Sequence, residues 1–227
     1  MQYPAGIFAY FSRFGSRHHL VYGNVYRMDT DPLREAASSA DDAIEERQLW
    51  ALEAYSSVSR ALIRSKTPQG LIGQVCQAIT ARHPYLIAWM GLVQNDPEKS
   101  IKILGVSGRV FATDYAKGIT LSWDSEREDG QGPAGQSVRS GETLVIRDTL
   151  ADKNFLRWRD RAQKYGIRSV VSIPVHYGKN ITCVLLVYAS TLGGFDEYEI
   201  RLFESLADEV TAELAKFGVF EEKGSGG

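Results

Sequence analysis

The sequence predicts an α+β fold, with one antiparallel sheet carrying terminal helices on one side and loops on the other. Three observations lead there. Apolar residues recur three or four apart between Asp41 and Ile79, and do so again after Asp196. The stretch from Tyr85 to Tyr188 is instead broken into short β-rich runs by Gly, Asn, Asp and Pro. Neighbouring runs are joined by brief turns, as in antiparallel pairing.

The elements follow in order. Residues 1–40 mix aromatics (Tyr3, Phe8, Tyr10, Phe11, Tyr22, Tyr26) with Arg17, His18 and His19, and VYGNVYRM alternates around Gly23-Asn24. This part is expected to be an extension, either a small hairpin or an arm. His18-His19 has no third ligand nearby to hold a metal. Asp41–Ser65 reads as a helix with Leu52, Tyr55, Val58 and Leu62 on its apolar face. Thr67-Pro68 opens a second helix with Leu71, Ile72, Val75 and Ile79, stopped by His83-Pro84. Tyr85–Val93 is a central strand, Asn95-Asp96-Pro97 a turn, and Ile101–Val106 its hairpin partner. A short helix over Phe111–Lys117 and an extended Ile119–Trp123 lead to an acidic loop, Asp124–Gly132. Pro133 opens a brief helix through Arg139, and Leu144–Ile146 is a strand. Phe155–Tyr165 is helical up to Gly166, and Ser169–Val175 and Ile181–Tyr188 are strands turning at Gly178-Lys179-Asn180.

The last helix carries the clearest signals. Asp196 stands at its cap, Glu199 in the capping-box position, and Phe195 and Ile200 in the staple positions. Ile200, Phe203, Ala207, Val210, Leu214 and Phe217 alternate in steps of three and four. That spacing is a coiled-coil seam, with an amphipathic helix lying on its own sheet as the alternative. The expected organisation is an extension (1–40), one domain (41–218) and a flexible tail (219–227) ending in GSGG.

Composition narrows the function. A net charge of -2 gives no electrostatic basis for binding nucleic acid or an anionic membrane. There is no run of apolar residues long enough to span a bilayer, and the N-terminus lacks the basic start of a signal peptide. The two cysteines, Cys76 and Cys183, form no zinc-ligand spacing and read as buried thiols in a reducing cytoplasm.

Several blocks, in order, resemble the GAF domains of bacterial sensor histidine kinases and cyclic-di-GMP signalling proteins. They are AWMG at Ala88–Gly91, ITLSWD at Ile119–Asp124, GQGPAGQSVRSGE at Gly130–Glu142 and VIRD at Val145–Asp148. FLRWRDRAQKYGIRSVVSIPV at Phe155–Val175, then VLLVYAS and FDEYEIRLFESLADEV, complete the match. The PAS fold shares the outline but does not explain the GPAGQSVRSGE and WRDRAQKYGIRSV blocks. The resemblance implies a regulatory, non-catalytic domain with a small-molecule pocket between the sheet and the connection covering it. It also implies terminal helices that pair in a homodimer, here expected through Ile200–Phe217, and signal to an output domain. No GGDEF, EAL or kinase module fits after Gly218, so the chain reads as an excised or stand-alone sensor.

Ligand contacts are expected from Trp89, Tyr115, Trp123, Asp124, Gly132, Gly135, Asp148, Trp158, Ser169 and Ser172. Gly130, Gly132, Pro133 and Gly135 precede a helix start and resemble a phosphate cradle. Asp124, Glu126, Glu128 and Asp129 beside them would repel an anion and suit a solvated flap. The three tryptophans are candidates for stacking a planar ligand, competing with plain core packing. Tyr115, Asp148, Ser169 and Ser172 are candidates for polar orientation. Ser172 interrupts an apolar strand, which calls for a helper hydrogen bond or a pocket-facing hydroxyl. Arg157 and Arg159 suit surface charges better than anion clamps. No covalent bilin is expected, because Cys183 is followed by Val184 inside a strand. Haem is disfavoured because His83 and His176 sit at element ends, and the cofactor stays unassigned. No metal site and no catalytic residue is expected. A GAF-like reductase of free methionine sulfoxide needs a cluster of thiols that two separated cysteines do not form. A third reading is a structural dimerisation module with a vestigial pocket.

Overall fold

Along the strand Asn180–Ala189 (β5), side chains enter two separate cores by turns. Cys183, Leu185, Val187 and Ala189 join one, while Val184, Leu186 and Tyr188 join the other. A computed structural model describes residues 32–81, 84–109, 111, 114–115 and 119–220. The extension over residues 1–31, the terminal GSGG, His83 and most of the helix expected over Phe111–Lys117 lie outside the described residues. The other strands are Tyr85–Val93 (β1), Ile101–Gly108 (β2), Leu144–Ile146 (β3) and Ser169–Tyr177 (β4). All pairings are antiparallel, in the order β2-β1-β5-β4-β3. The helices are Pro32–Arg64 (α1), Pro68–Thr80 (α2), Pro133–Ser140 (α3), Arg159–Lys164 (α4) and Glu197–Lys216 (α5). The α+β architecture expected from the sequence is present, with α1, α2 and α5 packed on one face of the sheet and the loops and short helices on the other.

Helix α1 starts at Pro32, inside the stretch expected to be an extension, because proline suits the first helical turn. Its buried stripe is Ala51, Ala54, Val58 and Ala61, whereas Leu52 is 43% exposed. Trp50, Tyr55 and Leu62 pack at the margin of the same core. Thr67 caps α2 by accepting the Gly70 N–H at 3.1 Å.

The cap of α5 is complete: the Asp196 side chain accepts from Glu199 N at 2.9 Å, and the Glu199 side chain accepts from Asp196 N at 2.9 Å. Phe195 stacks on Tyr85 and meets Phe203 edge-on, each at a centroid distance of 6.2 Å. The stripe read as a dimer seam is spent inside the chain. Phe203, Ala207, Val210 and Leu214 are buried against the sheet, with Ile200 and Phe217 packed at its margin. The correction has a simple cause: the sheet's helix-side face needs an apolar cover, and α5 supplies it.

Glu199 is 1% exposed, accepts a hydrogen bond from the Tyr85 hydroxyl at 3.2 Å and lies 3.9 Å from Arg47 Nε. Burial pushes its carboxyl above the ordinary value, with the Asp196 N–H opposing the rise. A carboxyl raised in the fold contributes stability that is full below its unfolded pKa and is lost as pH rises through the folded value. Glu199→Gln keeps the cap acceptor and removes the ionisation. The wild type should therefore lose stability relative to this variant as pH rises through the carboxylate range, in urea melts run at several pH values. A difference that moves the other way would refute this.

Candidate ligand-binding site

On the loop-side face, β1 presents Trp89 and β5 presents Leu186 and Tyr188, all buried. Tyr115, Ile119 and Leu121 come from the connection after β2, and Asp129 to Gly135 form a lip that runs into α3. Phe155 and Trp158, on the turn Lys153–Trp158, close the far side. Together they enclose a cavity of about 20 Å³, room for about one water.

Its polar groups converge. Trp89 Nε1 donates to the Tyr188 hydroxyl at 3.1 Å, and Tyr115 hydrogen-bonds the same oxygen, with the two tyrosine rings edge-on at 5.2 Å. Burial pushes Tyr188 up to about 12 and Tyr115 well above its ordinary value. Both therefore act as neutral hydrogen-bonding groups. The Arg161 guanidinium lies 5.2 Å from the Tyr115 ring centroid.

The lip is held by close backbone approach. A Cβ on Gly130 would stand 1.9 Å from Asp124 O, and one on Gly135 2.2 Å from Gly130 O. One on Gly132 would stand 2.7 Å from the Trp158 ring, so the indole is seated directly on that glycine. The glycines expected to cradle a phosphate thus line the cavity, but packing accounts for them. The charged group at the lining is Asp129, which opposes an anion, and Arg127 grips it at 2.9 and 2.8 Å and holds its carboxyl below the ordinary range. Trp158 also lines an outer depression of about 390 Å³, so its ring is the wall between that depression and the cavity. Arg157 pairs with Glu128 in the lining of the outer depression.

Of the expected contacts, Trp89, Tyr115, Gly132, Gly135 and Trp158 meet at the cavity. The rest do not. Trp123 donates to Gln94 O at 2.9 Å on the outer surface. Asp124 caps the Glu126 N–H at 3.1 Å, which with Lys99 at 3.4 Å keeps its carboxyl low. Asp148 closes a turn onto Leu150 N at 3.0 Å and pairs with Arg168 at 3.5 Å. Ser169 donates to Thr191 O at 2.8 Å and ties down the turn after β5. Ser172 bonds the Ser137 hydroxyl at 2.7 Å and clasps α3 to β4, which is the helper role rather than the pocket role. Sequence reading passed over Tyr188, Phe155 and Leu186. The strand phase held the signal for Tyr188, since it shares the alternation of Val184 and Leu186 and alone among them carries a polar tip.

Cys76 and Cys183 are free, and both belong to the helix-side core rather than the cavity. Among the described residues no group of three or more His, Cys, Asp or Glu is placed to hold a metal ion, and no helix is long and apolar enough to cross a membrane.

A sheet with helices behind it and a lidded aromatic cavity in front defines a pocket-bearing α+β domain. The chain belongs to the GAF domain family, whose model matches residues 65–215. Such domains commonly serve as small-molecule-binding regulatory modules. Solved structures share the fold. The free methionine-R-sulfoxide reductase of Neisseria meningitidis is 15% identical over 74% of this chain and 90% of its own, with a TM-score of 0.60. The GAF domain of a Coxiella burnetii phosphoenolpyruvate-protein phosphotransferase is 13% identical over 76% and 96%, with a TM-score of 0.60. The GAF domain region of a Geobacter sulfurreducens putative membrane protein is 23% identical over 66% and 93%, with a TM-score of 0.52. A search among curated proteins gives no match.

Proposed function

We propose that this domain is a regulatory sensor that admits a small molecule beneath Trp158 and passes the resulting shift through its terminal helices to an output module. The convergence of Trp89 Nε1 and Tyr115 on the Tyr188 oxygen, inside an apolar enclosure, carries the reading. At about 20 Å³ the cavity takes a ligand only when Trp158 and the lip move, joining it to the outer depression. The route outward is short. Tyr85 on β1 bonds Glu199 on α5, and Tyr55 on α1 bonds Glu209 on α5. A coupling of about 1–3 kcal/mol along it would be enough for control.

The proposal includes a homodimer, paired on a surface other than the buried stripe of α5. It also includes a cytoplasmic setting, which keeps both thiols reduced. The absence of catalysis is supported by those thiols, which burial pushes up to about 12, against the lowered pKa that thiol chemistry needs.

The size of the cavity favours one other reading, a structural module whose pocket is filled by its own side chains. Native mass spectrometry of the purified protein, followed by thermal melts against a metabolite panel, separates the two. The sensor reading expects a small non-covalent adduct, or a compound that stabilises the fold by about 2.7 kcal/mol at a hundredfold excess over its Kd. An adduct-free protein that no compound stabilises would leave the structural module standing.

A further inference from the structure

We infer a second ligand site, on the outer surface against Trp123, that takes a flat aromatic ring bearing an anionic group. A groove of about 580 Å³ opens there, within the size range of small-molecule sites and far roomier than the cavity under Trp158. Val93, Val138 and Ile181 give it an apolar floor. Asn95 and Asn180 offer amide donors and acceptors, and the lining holds two cations, Arg139 and Lys179, and no carboxylate.

The indole and one cation are held in position by the fold. Trp123 Nε1 donates to Gln94 O at 2.9 Å, which sets the plane of the ring. Arg139 Nη1 donates to Trp123 O at 3.0 Å and to Gly130 O at 2.7 Å, so the guanidinium is fixed at the Trp123 backbone, in the same groove lining as the indole. Its Nε and Nη2 make no hydrogen bond among the described residues and remain for a ligand. The neighbouring carboxylate, Asp124, is paired with Lys99 at 3.4 Å, and the Lys99 ammonium lies 5.3 Å from the Trp123 ring centroid. The lining itself is therefore cationic beside an aromatic side chain, an arrangement that suits stacking plus charge-assisted hydrogen bonds to an anion. The cavity under Trp158 has the opposite character, with Asp129 as its charged group.

The test is equilibrium dialysis or calorimetry on the full chain with AMP, indole-3-acetate, adenosine and inorganic phosphate. AMP and indole-3-acetate decide whether the anionic group is a phosphate or a carboxylate. At least one should bind with a Kd below about 1 mM, with adenosine and phosphate at least about tenfold weaker. Lys179→Glu lies in an exposed turn and should leave the fold intact by circular dichroism while weakening binding about tenfold, a loss that added salt should mimic. Trp123→Leu should weaken it similarly. Failure of both AMP and indole-3-acetate to bind at about 1 mM would overturn the site, as would binding that Lys179→Glu leaves unchanged.

Discussion

Gly135→Ala should cost about 3 kcal/mol of stability, the upper range for forcing atoms into a packed interior. The new methyl would lie 2.2 Å from Gly130 O and 2.7 Å from Ser122 O, both backbone atoms. Neither segment can easily retreat. Ser122 is buried, and its hydroxyl donates to Glu98 O at 2.9 Å and accepts from Asp124 N at 3.0 Å. Gly130 O is held by Arg139 at 2.7 Å. Gly73→Ala is the matched control, because nothing stands within 4 Å of its added Cβ in the middle of α2. That change should stabilise the protein by about 0.5–1 kcal/mol. Urea melts of the two variants give the comparison. Equal, small effects would mean that the lip yields freely, and the account of its glycines would fail.

Phe203→Ala should be as severe, about 3–5 kcal/mol. The ring is 1% exposed and meets Tyr85 edge-on at 5.3 Å, at the centre of the helix-side core. The loss should be the same at every protein concentration, since the cavity opens within one chain. A penalty that grows with concentration in thermal melts would instead place Phe203 between subunits and restore the coiled-coil interpretation.

The reasons for the readable and unreadable parts are physical. Continuous apolar runs exposed β1, β4 and β5, because these strands are buried on both faces. Steps of three and four exposed α5, because a helix lying on a sheet repeats its apolar residues on one face. That spacing could not say what covers the face, so Ile200, Phe203, Ala207, Val210, Leu214 and Phe217 suited a partner helix as well as the chain's own sheet. On α1 the expected face held at Val58, which is buried, and at Tyr55 and Leu62, which pack at the core's margin, but Leu52 faces water and Ala51, Ala54 and Ala61 complete the buried stripe. The lip motif identified Gly132 and Gly135 as cavity neighbours, and the search for stacking aromatics identified Trp89 and Trp158. The polar candidates Asp148, Ser169 and Ser172 went astray because a buried or turn-forming polar side chain is as useful for joining segments as for holding a ligand. Tyr188 was overlooked for the converse reason, as an ordinary strand residue whose hydroxyl matters only through what Trp89 and Tyr115 bring to it.

The seat of Trp158 on Gly132 has a kinetic consequence. On the proposed sensor function, a ligand larger than the cavity of about 20 Å³ would enter only in the fraction of time that the indole is displaced. The observed association rate should then stop rising with ligand concentration and level off at the rate of indole displacement. The apparent Kd should exceed the intrinsic one by the inverse of the open fraction. A bulkier residue at position 132 that props the indole away would raise that plateau, trading a slow, selective entry for a fast one.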